Sequence, residues 1–429
     1  MHDVDVVETD KKLPDAVDVA IIGGGIIGIA AAWHLARSGS SVAVFEKGQI
    51  AGEQSSRNWG YCRQQGRDPA ELPLIVESLR QWRGLNQNIG AETGFRERGI
   101  LYVTDKEKDV DAWKTWLEHA RGFQIRTELL DAEGVARVLP KAQRRWKAGL
   151  LTPSDGRAEP SMAVPALAAA ARKAGASLHA PCAVRGIDVV GGEARGVVTE
   201  NGRVKAQAVL LAGGAWSRLF CKRHGIRLKA LNVKASVLRT GPAPDVMDGG
   251  LAAPDFSIRR RNDGGYTLAK GGATTYQIVP DGLRWFTDFW PSYWEEKDRM
   301  KVRFGRTFFD ELFENTRWEL DATSPFERTR VLDPEPDAQA LGTAFDAMRN
   351  AFPDLRDVRD IGRWAGMIDA TPDAVPVISP VDALPGFFLA TGFSGHGFGI
   401  GPGAGRLAAD LVTGAAPCVD PTPFALSRQ

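Results

Sequence analysis

Gly23, Gly25, Gly28 and Glu46 are the residues of this chain whose types and spacing most directly imply chemistry. They stand in VDVAIIGGGIIGIAAAWHLARSGSSVAVFE, Val17 to Glu46. Gly23 permits a tight turn out of a strand. Gly25 has no Cβ to hold a pyrophosphate off the backbone, and Gly28 lets the next helix pack closely on the strand. The phosphates of a dinucleotide would lie on the free N–H groups and the positive dipole end of that helix. Glu46 ends a second strand, where a carboxylate accepts both ribose hydroxyls and repels a 2′-phosphate, which argues against NADP. The fingerprint alone does not separate NAD from FAD.

Three further stretches carry candidate chemistry. QSSRNWGYCRQQGRD, Gln54 to Asp68, follows the second strand and reads as a loop, too irregular for a helix or strand. In it Ser55, Ser56, Arg57 and Asn58 suit phosphate oxygens, although the same residues also make an ordinary polar turn. AVLLAGGAWS, Ala208 to Ser217, is a buried-type strand that stops at Gly213 and Gly214, where the backbone can again approach a ligand. GFSGHGFGIGPGAGRLAADLVTG, Gly392 to Gly414, is a glycine-rich loop leading into a helix from about Pro402 to Val412. A second helix N-terminus is thereby aimed at an electron-rich or anionic group.

These stretches need elements to hold them, and periodicity supplies most of them. Strands are expected over 19–22, 41–45, 95–104, 178–180, 184–190, 196–199, 204–206, 236–239, 257–260, 266–268 and 386–390. Helices are expected over 71–88, 106–123, 128–139, 161–174 and 340–351. RWFTDFWPSYW, Arg284 to Trp294, is unusually aromatic; a packed helix, a loop cover or a subunit contact explains it more readily than a ligand cage.

With 429 residues the chain is long for one core, so two domains are expected. Lys plus Arg is 54 against 53 Asp plus Glu, so no charge bias points to nucleic acid. Cys62, Cys182, Cys221 and Cys418 lack CxxC spacing, so neither a metal site nor a disulfide framework is expected. No stretch reads as a signal peptide or a membrane span, and a cytoplasmic protein is the expectation.

Taken in order, GGGIIG, AVLLAGGAWS and ATGFSGHGFGIGPGAGRLAADL resemble the FAD-dependent D-amino acid oxidase superfamily, which includes glycine oxidase, sarcosine oxidase and D-amino acid dehydrogenases. The resemblance covers nearly the whole chain. It implies an α/β fold with an α+β substrate domain. The Rossmann-like FAD-binding domain would be assembled from residues 17–95, 150–232 and 356–418, and an inserted mixed-sheet substrate domain from 96–149 and 233–355. It also implies that Gly23, Gly25 and Gly28 hold the pyrophosphate and Glu46 the adenosine ribose. Ser55, Ser56 and Arg57 would run along the phosphates and ribityl chain near Gly213. Gly395, His396, Gly397, Phe398, Gly399 and Ile400 would line the flavin ring, where His396 of the GHG loop either tunes the flavin or simply spaces the backbone.

The departures are as informative. Where sarcosine oxidase-like enzymes carry the cysteine that links FAD, just ahead of Thr371, Pro372 and Asp373, this chain has Gly366 beside Met367, so FAD is expected to be non-covalent. Two usual carboxylate anchors are also absent, Gly399 replacing a lysine and Ile368 with Asp369 replacing an arginine. A carboxylate substrate would then need other cations, from Arg63, Arg67, Arg259, Arg260, Arg261 and Lys270, the last also a possible oxygen-activating cation. The expected reaction is oxidation of a C–N bond by hydride transfer to flavin. The imine would hydrolyse to a carbonyl compound and an amine, and O2 would reoxidise the flavin. An iminodiacetate-like diacid is the favoured substrate. The alternatives are a D-amino acid or N-methyl amino acid dehydrogenase with a quinone-type acceptor and a non-catalytic flavin-binding subunit. An NAD enzyme does not need the two later glycine stretches. A monomer or homodimer is expected.

Overall fold

The computed structural model describes residues 4–271, 274–297 and 300–429. The β-branched run of Ala16–Ile22 forms the strand at the centre of an eight-stranded sheet. It lies between Val42–Phe45 and Gly202–Leu211 and runs parallel to both. Ser177–His179 extends the sheet beyond Val42–Phe45, while Glu193–Thr199 and Val184–Val190 extend it as an antiparallel pair beside the first half of Gly202–Leu211. The second half of that long strand takes Phe387–Thr391 in parallel instead, through Val209, Leu210 and Leu211. All three glycine stretches therefore start from the same carboxyl edge, where ligands of doubly wound sheets bind.

The helices Ile26–Arg37 and Gly397–Thr413 leave that edge and pack face to face. Small residues make the approach possible: a Cβ on Gly405 would stand 2.4 Å from Ala30 Cβ and 2.7 Å from Ala31 N. The long helix Leu72–Ile89 lies against the second of these and buries Leu74, Ile75, Leu79 and Trp82 in the same core. Its amphipathic spacing drives this burial, and Gly90 closes it with φ of 67°.

A ten-stranded sheet forms the second half of the molecule. Its spine is Leu231–Thr240, paired along its length with Asp360–Ala370 and on its other edge with Thr274–Gln277 and then Tyr266–Ala269. From Tyr266–Ala269 the order continues through Ser257–Arg260, Gly250–Ala252, Ile100–Thr104, Ala148–Thr152 and Glu128–Asp131. A small sheet of Tyr61–Cys62, Gly156–Arg157 and Arg96–Glu97 joins the two halves.

Several elements differ from the sequence reading. Asp360–Ala370, expected in the FAD-binding segment 356–418, belongs to the second sheet, as do Ala148–Thr152 and the first residues of Leu231–Thr240. Every partner of these three strands lies in the second sheet, and the alternation of a strand does not say which sheet its partners belong to. Gln54–Arg57 is a short helix rather than loop, and the strands expected at 204–206 and 208–211 are one, Gly202–Leu211. The C-terminal helix begins at Gly397, with Gly399, Gly401, Gly403 and Gly405 inside it. Tight packing, not chain flexibility, accounts for those glycines. The aromatic segment is a helix, Phe286–Glu296. No helix among the described residues is long and apolar enough to cross a membrane.

Candidate functional site

At the carboxyl edge of the first sheet a cavity is lined by Gly23, Gly25, Glu46, Ser55, Gly213, Gly395, Gly397 and Phe398. Gly23 has φ of 111°, and a Cβ there would fall 2.4 Å from Ala212 O. A Cβ on Gly28 would fall 2.2 Å from Gly23 O, so helix and strand meet there as the fingerprint requires. Glu46 is fixed by two backbone donors, Gly24 N to Oε2 at 2.9 Å and Gly48 N to Oε1 at 2.8 Å. Burial pushes its carboxyl above the usual range, with those bonds opposing. Ser55 Oγ accepts from Ile26 N at 2.9 Å, which places the hydroxyl at the start of the first helix.

Three residues expected along the cofactor point elsewhere. Ser56 is buried and its Oγ donates to Glu53 O at 3.2 Å. The Arg57 guanidinium is held by Asp333 Oδ1 at 2.6 Å and Ala365 O at 2.9 Å, so it straps the short helix to the second half of the molecule and lines the larger neighbouring cavity rather than this one. Ile400 is fully buried in the helix core. A short helix and a helical rather than looped glycine run turn these side chains away, and neither was visible in the local pattern.

A second cavity, of about 840 Å³, adjoins the first and shares Gln54, Asn58, Gly395 and Phe398 with it. Arg63, Arg67, Lys270, His396 and Gly399 line it, together with Trp59, Tyr61, Tyr102 and Tyr276. The aromatic helix adds Phe286, Phe289, Trp290, Tyr293 and Trp294 to the same wall. The volume is in the range of small-molecule sites. A side chain of Gln54 ends at the junction, where its Oε1 is buried without a partner.

Arg63 and Arg67 sit on one rigid turn. Arg67 donates from Nε to Arg63 O at 3.1 Å and from Nη2 to His396 O at 3.3 Å. Its Nη1 lies 3.8 Å from Glu71 Oε2 and is otherwise buried without a hydrogen bond. Burial pulls this guanidinium down to about 10, which still leaves it charged at neutral pH. Asp155, fully buried, accepts from Gln64 N at 2.8 Å and Gln65 N at 3.2 Å and so pins the turn. Burial raises Asp155 to about 7. His396 is pulled down to about 4 by burial and by Arg67, with Glu71 opposing. The imidazole is neutral at pH 7.

Arg259, Arg260 and Arg261, named as substrate cations, are not part of this wall. Arg259 is buried in a forked pair with Glu159, Nη1 to Oε1 at 2.8 Å and Nη2 to Oε2 at 3.1 Å, and donates from Nε to Trp59 O at 2.6 Å. Arg260 reaches Ala243 O at 2.9 Å and stacks over Tyr266, and Arg261 pairs with Asp263 at 2.9 Å. Arg259 shares a sheet face with Val237 of the cavity wall. Its two Nη groups nevertheless pair with Glu159, and Arg260 and Arg261 reach Ala243 and Asp263, all outside the cavity lining. Two positions, Glu71 and Asp155, went unnoticed in the sequence, and Asp369 was noted only as standing where an anchoring arginine is missing. Asp369 accepts from Gly392 N at 2.6 Å and Thr391 Oγ1 at 3.0 Å, tying the second sheet to the C-terminal glycine stretch. A lone acidic residue in a helix or loop gives no local signal.

A sheet whose carboxyl edge carries three glycine stretches, joined to a cavity under a second sheet, is the architecture of a dinucleotide-dependent oxidoreductase. The family pattern described as FAD dependent oxidoreductase matches residues 18–411, and the chain belongs to that family. In its fold the chain is similar to the L-amino acid deaminase of Proteus myxofaciens, solved with anthranilate. That structure has a TM-score of 0.95 and 34% identity, covering 99% of this chain and 96% of that one. The L-amino acid deaminase of Proteus vulgaris has a TM-score of 0.94 at 29% identity, covering 99% and 100%. In sequence the chain is 27% identical to a glycine oxidase of Pseudomonas aeruginosa, over 95% of this chain and 98% of the other. It is 24% identical to the mitochondrial dimethylglycine dehydrogenase of Mus musculus over 95% of its own length, but spans only 43% of that relative. An iminodiacetate oxidase from Chelativorans, at 17% identity and a TM-score of 0.71, shares the fold.

The residues present fit FAD. Gly23, Gly25 and Gly213 leave the backbone open where side chains would intrude, and Ser55 Oγ stands beside them at the start of the first helix.

Proposed function

We propose that this chain oxidises the Cα–N bond of an amino acid with a sizeable apolar side chain, using non-covalent FAD. The observation that carries this reading is a single cavity wall combining Arg63 and Arg67 with a dense aromatic lining, next to the glycine-opened helix end. Paired guanidiniums on a fixed turn suit a carboxylate, and five aromatic residues of one helix suit an apolar side chain. Similarity to two L-amino acid deaminases favours the L configuration. FAD, when bound, supplies the two-electron acceptor.

The chain's own residues then bind and orient. Arg63 and Arg67 hold the carboxylate, the aromatic helix holds the side chain, and together they fix the Cα–H toward Gly395, Gly397 and Phe398. The substrate gives up a hydride from Cα and a proton from nitrogen. Water adds to the resulting imine, and ammonia leaves a 2-oxo acid. His396 and Lys270 face the same space as candidate proton-handling and charge-balancing groups. Neither cavity has a cysteine in its lining, which supports non-covalent attachment.

A compact diacid such as iminodiacetate is the second reading, favoured by a third cation, Lys270, in the cavity wall. The large aromatic lining favours it less. Trapping the carbonyl product with a hydrazine separates the two. Phenylpyruvate from L-phenylalanine supports the first reading; glyoxylate from iminodiacetate, with no oxo acid from apolar amino acids, overturns it. The acceptor is read from turnover in air against turnover with an added quinone analogue.

A further inference from the structure

Resting on the amino acid oxidase reading, we propose that Glu71 is a positioning residue that fixes the His396 tautomer and tempers the charge of Arg67. Its carboxylate is fully buried between the two, Oε2 lying 3.3 Å from His396 Nδ1 and 3.8 Å from Arg67 Nη1. Among the described residues neither Glu71 oxygen nor His396 Nδ1 completes a hydrogen bond, so Glu71 meets the ring and the guanidinium as close electrostatic contacts. A buried carboxylate of this kind is costly without a cation or donor beside it, so its place must be set by what it faces.

His396 and Arg67 hold Glu71 below the usual carboxylate range against the opposing effect of burial. The groups facing His396 are Glu71 and Arg67, with Arg63 further along the turn. A neutral imidazole opposite an ionised carboxylate carries its proton on Nδ1. Nδ1 is buried against Glu71, while the ring contributes to the wall of the cavity, so Nε2 is left as the acceptor available to a substrate. An N–H of the bound amine donates to Nε2, which aligns the nitrogen lone pair with the Cα–H that must leave. Glu71 touches neither the substrate nor the cofactor; it acts through the ring and through Arg67.

The charge balance gives a result that a merely structural role would not. Removing the negative charge 3.8 Å from Arg67 leaves that guanidinium less neutralised, so a carboxylate binds more tightly. The neutral amide can accept from a protonated Nδ1 or donate to a bare one, so the tautomer is no longer fixed and flavin reduction slows. Glu71→Gln therefore moves two readouts in opposite directions. Benzoate, titrated by its perturbation of the flavin spectrum, binds about threefold to tenfold more tightly. The limiting rate of anaerobic reduction falls by at least about tenfold.

Glu71→Asp, which keeps the charge but draws it back, restores part of the rate and the wild-type benzoate affinity. Nitrogen-15 chemical shifts of the histidine rings, with His396 assigned by its loss in His396→Gln, give a readout independent of turnover. The wild type shows the Nδ1–H tautomer and Glu71→Gln shows exchange between the two. Weaker benzoate binding together with slower reduction, or an Nε2–H tautomer in the wild type, overturns the proposal. If no amino acid reduces the wild-type flavin, the functional reading fails by itself. The ring-nitrogen shifts still decide the role of Glu71.

Discussion

Arg259 and Arg67 were both expected as substrate cations, yet the structure gives them opposite work, and the variant Arg259→Met tests the difference. Methionine retains most of the buried stem and removes the guanidinium. Glu159 then loses both forked bonds and keeps its bond from Asn262 N at 2.8 Å, while Trp59 O loses its donor. Breaking one side of a buried ion pair costs about 3–5 kcal/mol. The unpaired carbonyl adds a further cost of about 1–3 kcal/mol. At 1.4 kcal/mol per tenfold, the folded-to-unfolded ratio at a given denaturant concentration falls by at least about 100-fold. The assay is guanidinium unfolding followed by flavin fluorescence and circular dichroism, with benzoate affinity measured on the folded protein. Arg259→Met lowers the unfolding midpoint and leaves benzoate affinity within about threefold. Arg67→Met, which removes a cation from the cavity wall, weakens benzoate by about 2–5 kcal/mol. Wild-type stability in Arg259→Met with benzoate binding lost would refute the assignment of Arg259 as a buried strut.

Other expectations follow from the same geometry. Asp155→Asn gains on the wild type as pH rises. The folded-state value of Asp155 is raised, so the wild type accumulates a cost between its ordinary 3.8 and about 7. The stability difference grows there by roughly 1.4 kcal/mol per pH unit and is flat above; unfolding midpoints at pH 5 and pH 8 check the sign. Acid precipitation releases all the flavin to the supernatant, and a yellow pellet would contradict non-covalent binding. Gly366→Cys does not create a covalent flavin without cost, because its Cβ would fall 2.0 Å from Gln54 Oε1. Reduced cofactor content and a lower melting temperature are expected. Trp290→Ser, at the aromatic wall, raises KM for L-phenylalanine more than for L-alanine.

What the sequence made legible follows from how local each signal is. The glycines at 23, 25 and 28 answer to a strand and a helix immediately beside them, so spacing alone reported their role. Glu46 was readable because it ends the very next strand. Arg63 and Arg67 were readable as cations near the site because they follow the nucleotide motif by a short loop. The pairing of Arg259 with Glu159 was hidden, since it joins a strand to the start of the distant helix Pro160–Lys173 and leaves no period or motif. Glu71 was hidden for the same reason: its partner His396 comes from the far end of the chain. Asp360–Ala370 was misassigned because its alternation does not say which sheet its partner, Leu231–Thr240, belongs to.

The most direct measurement is anaerobic mixing of the flavin-loaded protein with L-phenylalanine, L-leucine, L-alanine, glycine and iminodiacetate, following the visible flavin absorbance. The account predicts that L-phenylalanine and L-leucine bleach it fastest, and that the rate saturates with substrate. Fastest bleaching by iminodiacetate, or a flavin that no amino acid reduces, would contradict it.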